Sequence, residues 1–372
     1  MEALIMSCGT GGGHNSAGRA VAEELQSRGH RVTFLDTYKL AGKKTENLID
    51  NSYVKLVQRS PKTFGLVYAL GEAYRRLPVH SPVYWANKKM ADCTWNFIRR
   101  HHYDIIIMSH MYPAHILTNL KEEHRALPKT VLIATDYTCI PFMEEADCDY
   151  YVIPSEELRE EFCSKGIPQN RTLPFGIPVR QEFSADCEKA GARKRLGLSD
   201  GKTYLLLSGG SIGAGSIEKA ITVLQKYLTQ DPTCCLICVC GNNQALYQSL
   251  QTAYRNHPQV RLVRSTPQMA DYMKACDVFI TKPGGLSSTE AAAVRTPLIH
   301  ISPIPGCESR NANYFSTRGM SIYVKNLEKE LLPALEQLHR EAAVKQMRQA
   351  QKRCIDGFAA ARLCDFIEQE II

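Results

Sequence analysis

Between residues 282 and 313 the chain carries two polar loops whose residue types suit recognition of a phosphorylated sugar. The first reads Lys282-Pro-Gly-Gly-Leu-Ser-Ser-Thr-Glu290 and the second Pro303-Ile-Pro-Gly-Cys-Glu-Ser-Arg-Asn-Ala-Asn313. The pattern is a glycine turn opening a helix, an acid one turn into that helix, then a strand and a second loop. A turn at Lys282, Gly284 and Gly285 presents free backbone N–H groups and the positive end of a helix dipole, which suits a phosphate. Glu290 is then placed to accept hydrogen bonds from ribose hydroxyls, while Glu308 and Asn311 can reach a sugar.

A second glycine turn lies near residue 10. Met1 to Ser7 runs apolar, and Cys8-Gly-Thr-Gly-Gly-Gly-His14 breaks it. Ala17, Ala20, Val21 and Leu25 then follow helical spacing, Gly29 ends the helix, and Arg31 to Asp36 is a short strand. Gly9, Gly11 and Asp36 fit a dinucleotide fingerprint loosely, but His14 replaces its third glycine. A histidine at the mouth of a helix, facing a ligand, suits proton transfer. Donation of a hydrogen bond to phosphate is the alternative for the same side chain.

The surrounding elements must hold these residues in place. Tyr103–His110, Thr130–Asp136 and Tyr150–Ser155 read as buried strands with polar tips, and 114–124 as a helix. Alternation of apolar runs with helices implies a parallel sheet, whose carboxyl ends line the ligand crevice. His110 and Asp136 therefore belong near the Gly9–His14 turn. Phe175–Arg180 reads as the exit from a first domain, and the charged stretch 188–201 as a short helix and linker. The pattern restarts with a strand at Tyr204–Ser208, a glycine turn at 209–215 and a helix from Ile217. Further strands are expected at 234–240, 260–263, 278–281 and 298–301, with helices between them. The expected architecture is α/β, with two doubly wound Rossmann-like domains, 1–180 and 200–350, facing across a cleft. A charged helical tail, 355–372, is expected to pack back on the first.

Composition excludes several classes. Of 372 residues, 45 are Lys or Arg and 38 Asp or Glu, a net charge of +7 that is mild for this length and demands no nucleic acid. It fits a phosphorylated ligand or an anionic membrane surface. No apolar run approaches the roughly 18 residues of a membrane span, and the N-terminus reads as a core strand, not a signal. Of the 14 cysteines, Cys234, Cys235, Cys238 and Cys240 sit in a strand pattern that alternates faces, so they cannot converge on one ion. Buried thiols and a reducing cytoplasm follow. The stretch 47–89 mixes Tyr53, Phe64, Tyr68, Tyr74, Tyr84 and Trp85 with Lys55, Lys62, Arg75, Arg76, Lys88 and Lys89. It suits either packed helices or a surface touching lipid headgroups, with rings at the boundary.

Taken in order, these motifs resemble the diacylglycerol sugar transferases, namely processive diacylglycerol glucosyltransferases and monogalactosyldiacylglycerol synthases. The resemblance is carried by Gly9–His14, Ala134-Thr-Asp136, Phe175–Arg180, the turn at 208–215, Thr281–Gly285, Glu290 and the loop bearing Glu308 and Asn311–Asn313. It implies a GT-B fold and a UDP-sugar that is a substrate, with no cofactor; no Asp-x-Asp signature is read in the chain, so no obligate metal is expected. It implies that Glu290 holds the ribose and that Gly210, Ser211, Gly213, Lys282, Gly284 and Gly285 surround the diphosphate. Gly12 and Gly13 are counted with the donor site, and Glu308 and Asn311 with its sugar. Cys307 stands where the family has Gln and cannot supply its amide, which leaves the hexose, glucose or galactose, open. His14 and Asp136 are the catalytic pair, either one the base. Phe64, Tyr68, Arg75, Arg76, Trp85 and His110 are assigned to the lipid acceptor and the membrane. The reaction implied is inverting transfer of a hexose to diacylglycerol or glycosyl-diacylglycerol, by a cytoplasmic protein peripheral on the inner membrane face. Another acceptor, or a UDP-sugar-binding protein or epimerase without lipid transfer, is the alternative.

Overall fold

A computed structural model describes residues 1–9, 12–42, 61–184 and 188–371, apart from the side chains of 61, 62 and 184. The chain forms two compact units. The first comprises 1–181, 305–307 and 357–372, and the second 182–304 and 308–356.

In the first unit six parallel strands are ordered β2-β1-β3-β4-β5-β6. They are β1 (Glu2–Ser7), β2 (Arg31–Asp36), β3 (Ile105–Met108), β4 (Lys129–Ile133), β5 (Tyr150–Val152) and β6 (Thr172–Leu173). Helices cover the sheet, so Ile105–Met108 and Ala3–Ser7 are buried throughout and read as unbroken apolar runs. The helix Gly12–Ser27 turns Val21, Ala22 and Leu25 onto this core. The last helix, Ala359–Glu370, adds Leu363, Cys364 and Ile367 to the same cluster. Arg28 ties the two helices together, donating to Asp365 at 2.6 Å and Glu368 at 2.8 Å. From β1 the order steps outward to β2 on one side and to β3 on the other. The crevice of such a sheet opens where the order reverses, at the carboxyl ends of β1 and β3.

The second unit repeats the plan. Its parallel order is β12-β11-β10-β7-β8-β9, built from β7 (Thr203–Ser208), β8 (Cys234–Val239), β9 (Val260–Val263), β10 (Val278–Thr281), β11 (Leu298–Ile301) and β12 (Ile322–Val324). Here the order reverses between β7 and β10, which aims the turns after Ser208 and Thr281 at one crevice. The charged stretch read as a short helix and linker forms the helix Lys189–Leu196 of this unit. Arg193 anchors it, donating to the carbonyls of Ala275 and Asp200 and pairing with Asp277 at 3.0 Å.

Candidate active site

In the first unit the turn after β1 starts the helix Gly12–Ser27, with Gly12, Gly13 and His14 in its first turn. Thr10 and Gly11 lie outside the described residues. His14 Nδ1 lies 3.0 Å from the carbonyl oxygen of Ser109 and 2.8 Å from the Thr135 hydroxyl. A carbonyl only accepts, so Nδ1 carries the proton and the lone pair resides on Nε2. Burial lowers the His14 pKa, partly opposed by the charge of Asp136 and by the Ser109 hydrogen bond. The ring is therefore neutral near pH 7, as a general base must be. Asp136 lines the same small cavity as His14, Ser109, His110 and Thr135.

His110 packs edge-on against His14, with ring centroids 4.4 Å apart. It also caps the helix Met111–Glu122, accepting from the Tyr112 amide at 3.1 Å. Burial, then the neighbouring His14 and His115, push its pKa well below the usual histidine value. His110 thus packs against His14 while capping the helix Met111–Glu122. Sequence reading passed over Thr135 and Ser109, which orient His14. Thr135 stood inside the Ala-Thr-Asp strand end, whereas a backbone carbonyl leaves no trace in residue type.

In the second unit the turn 209–215 packs against residues 240–243, which follow β8. Gly213 has φ +58°, and a Cβ there would stand 2.2 Å from the Cys240 carbonyl oxygen, so only glycine fits. Asn243 clamps the turn, donating to the Gly213 carbonyl at 3.0 Å and accepting from the Leu246 amide. Ser211 is exposed at the tip. After β10, Gly284 begins the helix Gly285–Ala293 with no side-chain cap, leaving its first amides free of side-chain acceptors. Lys282 lies between the two turns. A Cβ on Gly210 would meet its Cε at 3.1 Å, and one on Gly284 its Nζ at 3.3 Å. Its ammonium pairs with Glu308 Oε1, and Glu308 Oε2 accepts the Ile304 amide at 2.8 Å. Glu290 and Glu308 are both buried.

Several of the expected site residues have partners within the protein. Asn311, assigned to the sugar, is fully buried and donates to the Pro283 carbonyl at 3.0 Å, so it ties its helix to the 282–284 turn. Arg75, assigned to lipid, is a packed ion-pair residue. Its guanidinium grips both oxygens of Glu144 at 2.9 and 2.5 Å and reaches Glu72 at 3.3 Å, with a side chain only 8% exposed. Phe64 and Tyr68 are half-buried. The helix Pro61–Tyr74 instead exposes Leu66, Val67 and Leu70, and beyond it Leu77, Val79 and Trp85 are open. Arg76, Lys88 and Lys89 are exposed nearby, Lys88 with its ammonium 5.6 Å from the Trp85 ring. Tyr53 and Lys55, as well as the Lys62 side chain, fall outside the described residues. Among the described residues no helix is long and apolar enough to cross a membrane.

An Asp-x-Asp does occur, Asp147-Cys148-Asp149, but protein groups occupy it. Asp149 accepts from Thr130 N at 2.9 Å, Thr130 Oγ1 at 2.8 Å and Lys129 at 3.0 Å, while Arg171 holds Asp147 at 2.6 Å. These partners outweigh the burial of Asp149 and hold its pKa at about 2.

Two parallel six-stranded sheets, each with a glycine turn at its reversal point, define the GT-B class. Acinetobacter baumannii MurG shares this fold with a TM-score of 0.62 at 14% identity, over 99% of both chains. The Neisseria meningitidis UDP-GlcNAc 2-epimerase, solved with UDP-GlcNAc, shares it with a TM-score of 0.67 at 10% identity, over 100% of both. The monogalactosyldiacylglycerol synthase model matches residues 14–179, and the glycosyltransferase family 28 C-terminal domain matches 204–364. The chain thus carries a monogalactosyldiacylglycerol-synthase-type domain followed by a glycosyltransferase family 28 C-terminal domain. A processive diacylglycerol β-glucosyltransferase of Bacillus pumilus is 26% identical over 352 residues, 94% of this chain and 90% of the relative.

Proposed function

We propose that this protein transfers a hexose, glucose or galactose, from its UDP conjugate to the free hydroxyl of diacylglycerol, with inversion at the anomeric carbon. The observation that carries the reading is His14, whose Nδ1 is committed to the Ser109 carbonyl and whose Nε2 is left basic. Nε2 takes the acceptor hydroxyl proton as the oxygen bonds to the anomeric carbon. The bond from that carbon to the diphosphate breaks, and UDP leaves with the electron pair. Asp136, whose charge favours the protonated ring, stabilises the imidazolium that forms. Positioned proton transfer of this kind is worth roughly 10²–10⁴ in rate.

The leaving diphosphate is met by amides at the start of the Gly285–Ala293 helix and by Lys282, an electrostatic device set before the reaction begins. Gly210, Ser211 and Gly213 shape the turn beside it, and Glu290 binds the ribose. The apolar face of Leu66, Val67 and Leu70, with Trp85, Arg76, Lys88 and Lys89, docks on an anionic leaflet and admits the lipid acceptor. The same surface supports a peripheral position on the cytoplasmic face of the membrane. The epimerase likeness supplies a second reading, in which the sugar is altered while still bound to nucleotide. Incubation with UDP-glucose or UDP-galactose and diacylglycerol, followed by proton NMR of the organic phase, separates the two. The account requires a β-linked hexosyl lipid from at least one donor. An epimerised nucleotide sugar with no lipid product contradicts it.

A further inference from the structure

The Lys282–Glu308 pair has a consequence beyond holding two side chains together. Lys282 is confined between two glycine positions, Gly210 and Gly284, each of which would press on its side chain if it bore a Cβ. Its ammonium is matched to Glu308 Oε1, and both side chains are largely buried, 14% and 6% exposed. A diphosphate arriving at the same turns brings more negative charge than one ammonium can neutralise alongside a contacting carboxylate. The phosphate and Glu308 Oε1 therefore compete for the same ammonium, and Lys282 must be shared or surrendered. Glu308 does not lose its orientation when Oε1 gives up Lys282, because Oε2 accepts the Ile304 amide at 2.8 Å. Oε1 then needs a donor, and a hexose hydroxyl is the donor that a nucleotide sugar carries there and a bare nucleoside diphosphate lacks.

We infer that Lys282 and Glu308 form an exchange pair that couples diphosphate binding to recognition of a sugar hydroxyl. The inference rests on the donor assignment made above. Binding of a nucleoside diphosphate alone takes Lys282 away and leaves a buried carboxylate oxygen short of a partner, a costly arrangement. Binding of the nucleotide sugar fills the gap. The pair thereby favours the sugar-bearing donor over the spent nucleotide, which speeds exchange of product for substrate. Glu308 is the specificity-determining residue of this device, and Lys282 is the group it shares with the diphosphate.

Calorimetry on the full chain with UDP and with UDP-glucose or UDP-galactose tests this. Glu308→Gln should tighten UDP about fivefold, since the amide does not compete for the ammonium, and should lower the ratio of UDP-hexose to UDP affinity by about tenfold. Lys282→Met should weaken UDP. In the Lys282→Met background Glu308→Gln should change UDP affinity less than about twofold, because the competition is gone. Each single variant leaves one buried charge unpaired, so urea midpoints of all three variants confirm folding before the affinities are compared. An unchanged or weaker UDP affinity in Glu308→Gln overturns the inference. So does a tightening that persists undiminished without Lys282, which would be long-range charge alone. Failure of the parent protein to bind UDP is a different outcome, which removes the donor assignment itself and the coupling with it.

Discussion

His14 Nδ1 lies 3.0 Å from the carbonyl oxygen of Ser109, a contact between residues 95 apart in the chain. It joins the helix that follows β1 to the strand end of β3, the two elements flanking the sheet's reversal point. The contact determines which ring nitrogen is basic. It also explains why a histidine replaces the glycine that a dinucleotide site would need there.

Glu290 is buried on the helix whose first amides are free of side-chain caps. Replacement by Ala should weaken UDP binding by about 1.5–3 kcal/mol, the range for hydrogen bonds to a charged group. Calorimetry checks it, and an unchanged affinity would remove Glu290 from the donor site.

Gly213 adopts φ +58°, and a Cβ there would stand 2.2 Å from the Cys240 carbonyl oxygen. Gly213→Ala should cost on the order of 2–3 kcal/mol in urea unfolding and reduce UDP affinity as the turn shifts. Gly201→Ala is the control, since a Cβ there meets nothing within 4 Å. Equal stability of the two variants would mean that the 209–215 turn yields without cost.

Five strands of each sheet, the glycine turns and the polar strand ends were legible in the sequence, because a strand buried on two faces is an apolar run and a turn against backbone demands glycine; the edge strand Ile322–Val324 was not. The two-residue strand Thr172–Leu173 is too short to leave a pattern. Pairing of Arg75 with Glu144, 69 residues away, was not legible, since nothing local distinguishes a buried arginine from a solvated one. Which face of Pro61–Tyr74 is open was also hidden. Aromatic rings at 64 and 68 suggested lipid contact, yet the rotation of a helix is set by what it packs on. Leu66, Val67 and Leu70 face out instead.

Leu66→Glu with Leu70→Glu should therefore abolish sedimentation with anionic vesicles. Charge reversal at Arg76, Lys88 and Lys89 should weaken it by about 1 kcal/mol per residue, more at low salt than at high. Arg75→Glu should behave differently, lowering stability by about 3 kcal/mol by leaving Glu144 unpaired in a packed site. Vesicle binding unaffected by the leucine changes would place the membrane surface elsewhere.

His115 is buried, with Nε2 2.8 Å from the Phe142 carbonyl and Nδ1 3.3 Å from the Asn87 amide nitrogen. Burial lowers its pKa to about 4, against about 6.5 in an unfolded chain. Between these values the unfolded state binds the extra proton, so stability falls as pH drops from about 6.5 toward 4. His115→Gln should flatten that dependence by up to about 1.4 kcal/mol per pH unit. Urea midpoints at pH 7, 6 and 5 report it, and identical slopes for parent and variant would exclude His115 as a source of acid sensitivity.

The central claim is that His14 serves transfer rather than donor binding. It is tested by the label that UDP-[14C]hexose delivers to the organic phase with diacylglycerol present, compared between parent and His14→Ala. The account predicts labelled lipid from the parent, a fall of at least about 100-fold in kcat for the variant, and UDP affinity within about threefold of the parent. Labelled lipid formed at equal kcat by both proteins, with only the donor KM altered, would contradict it.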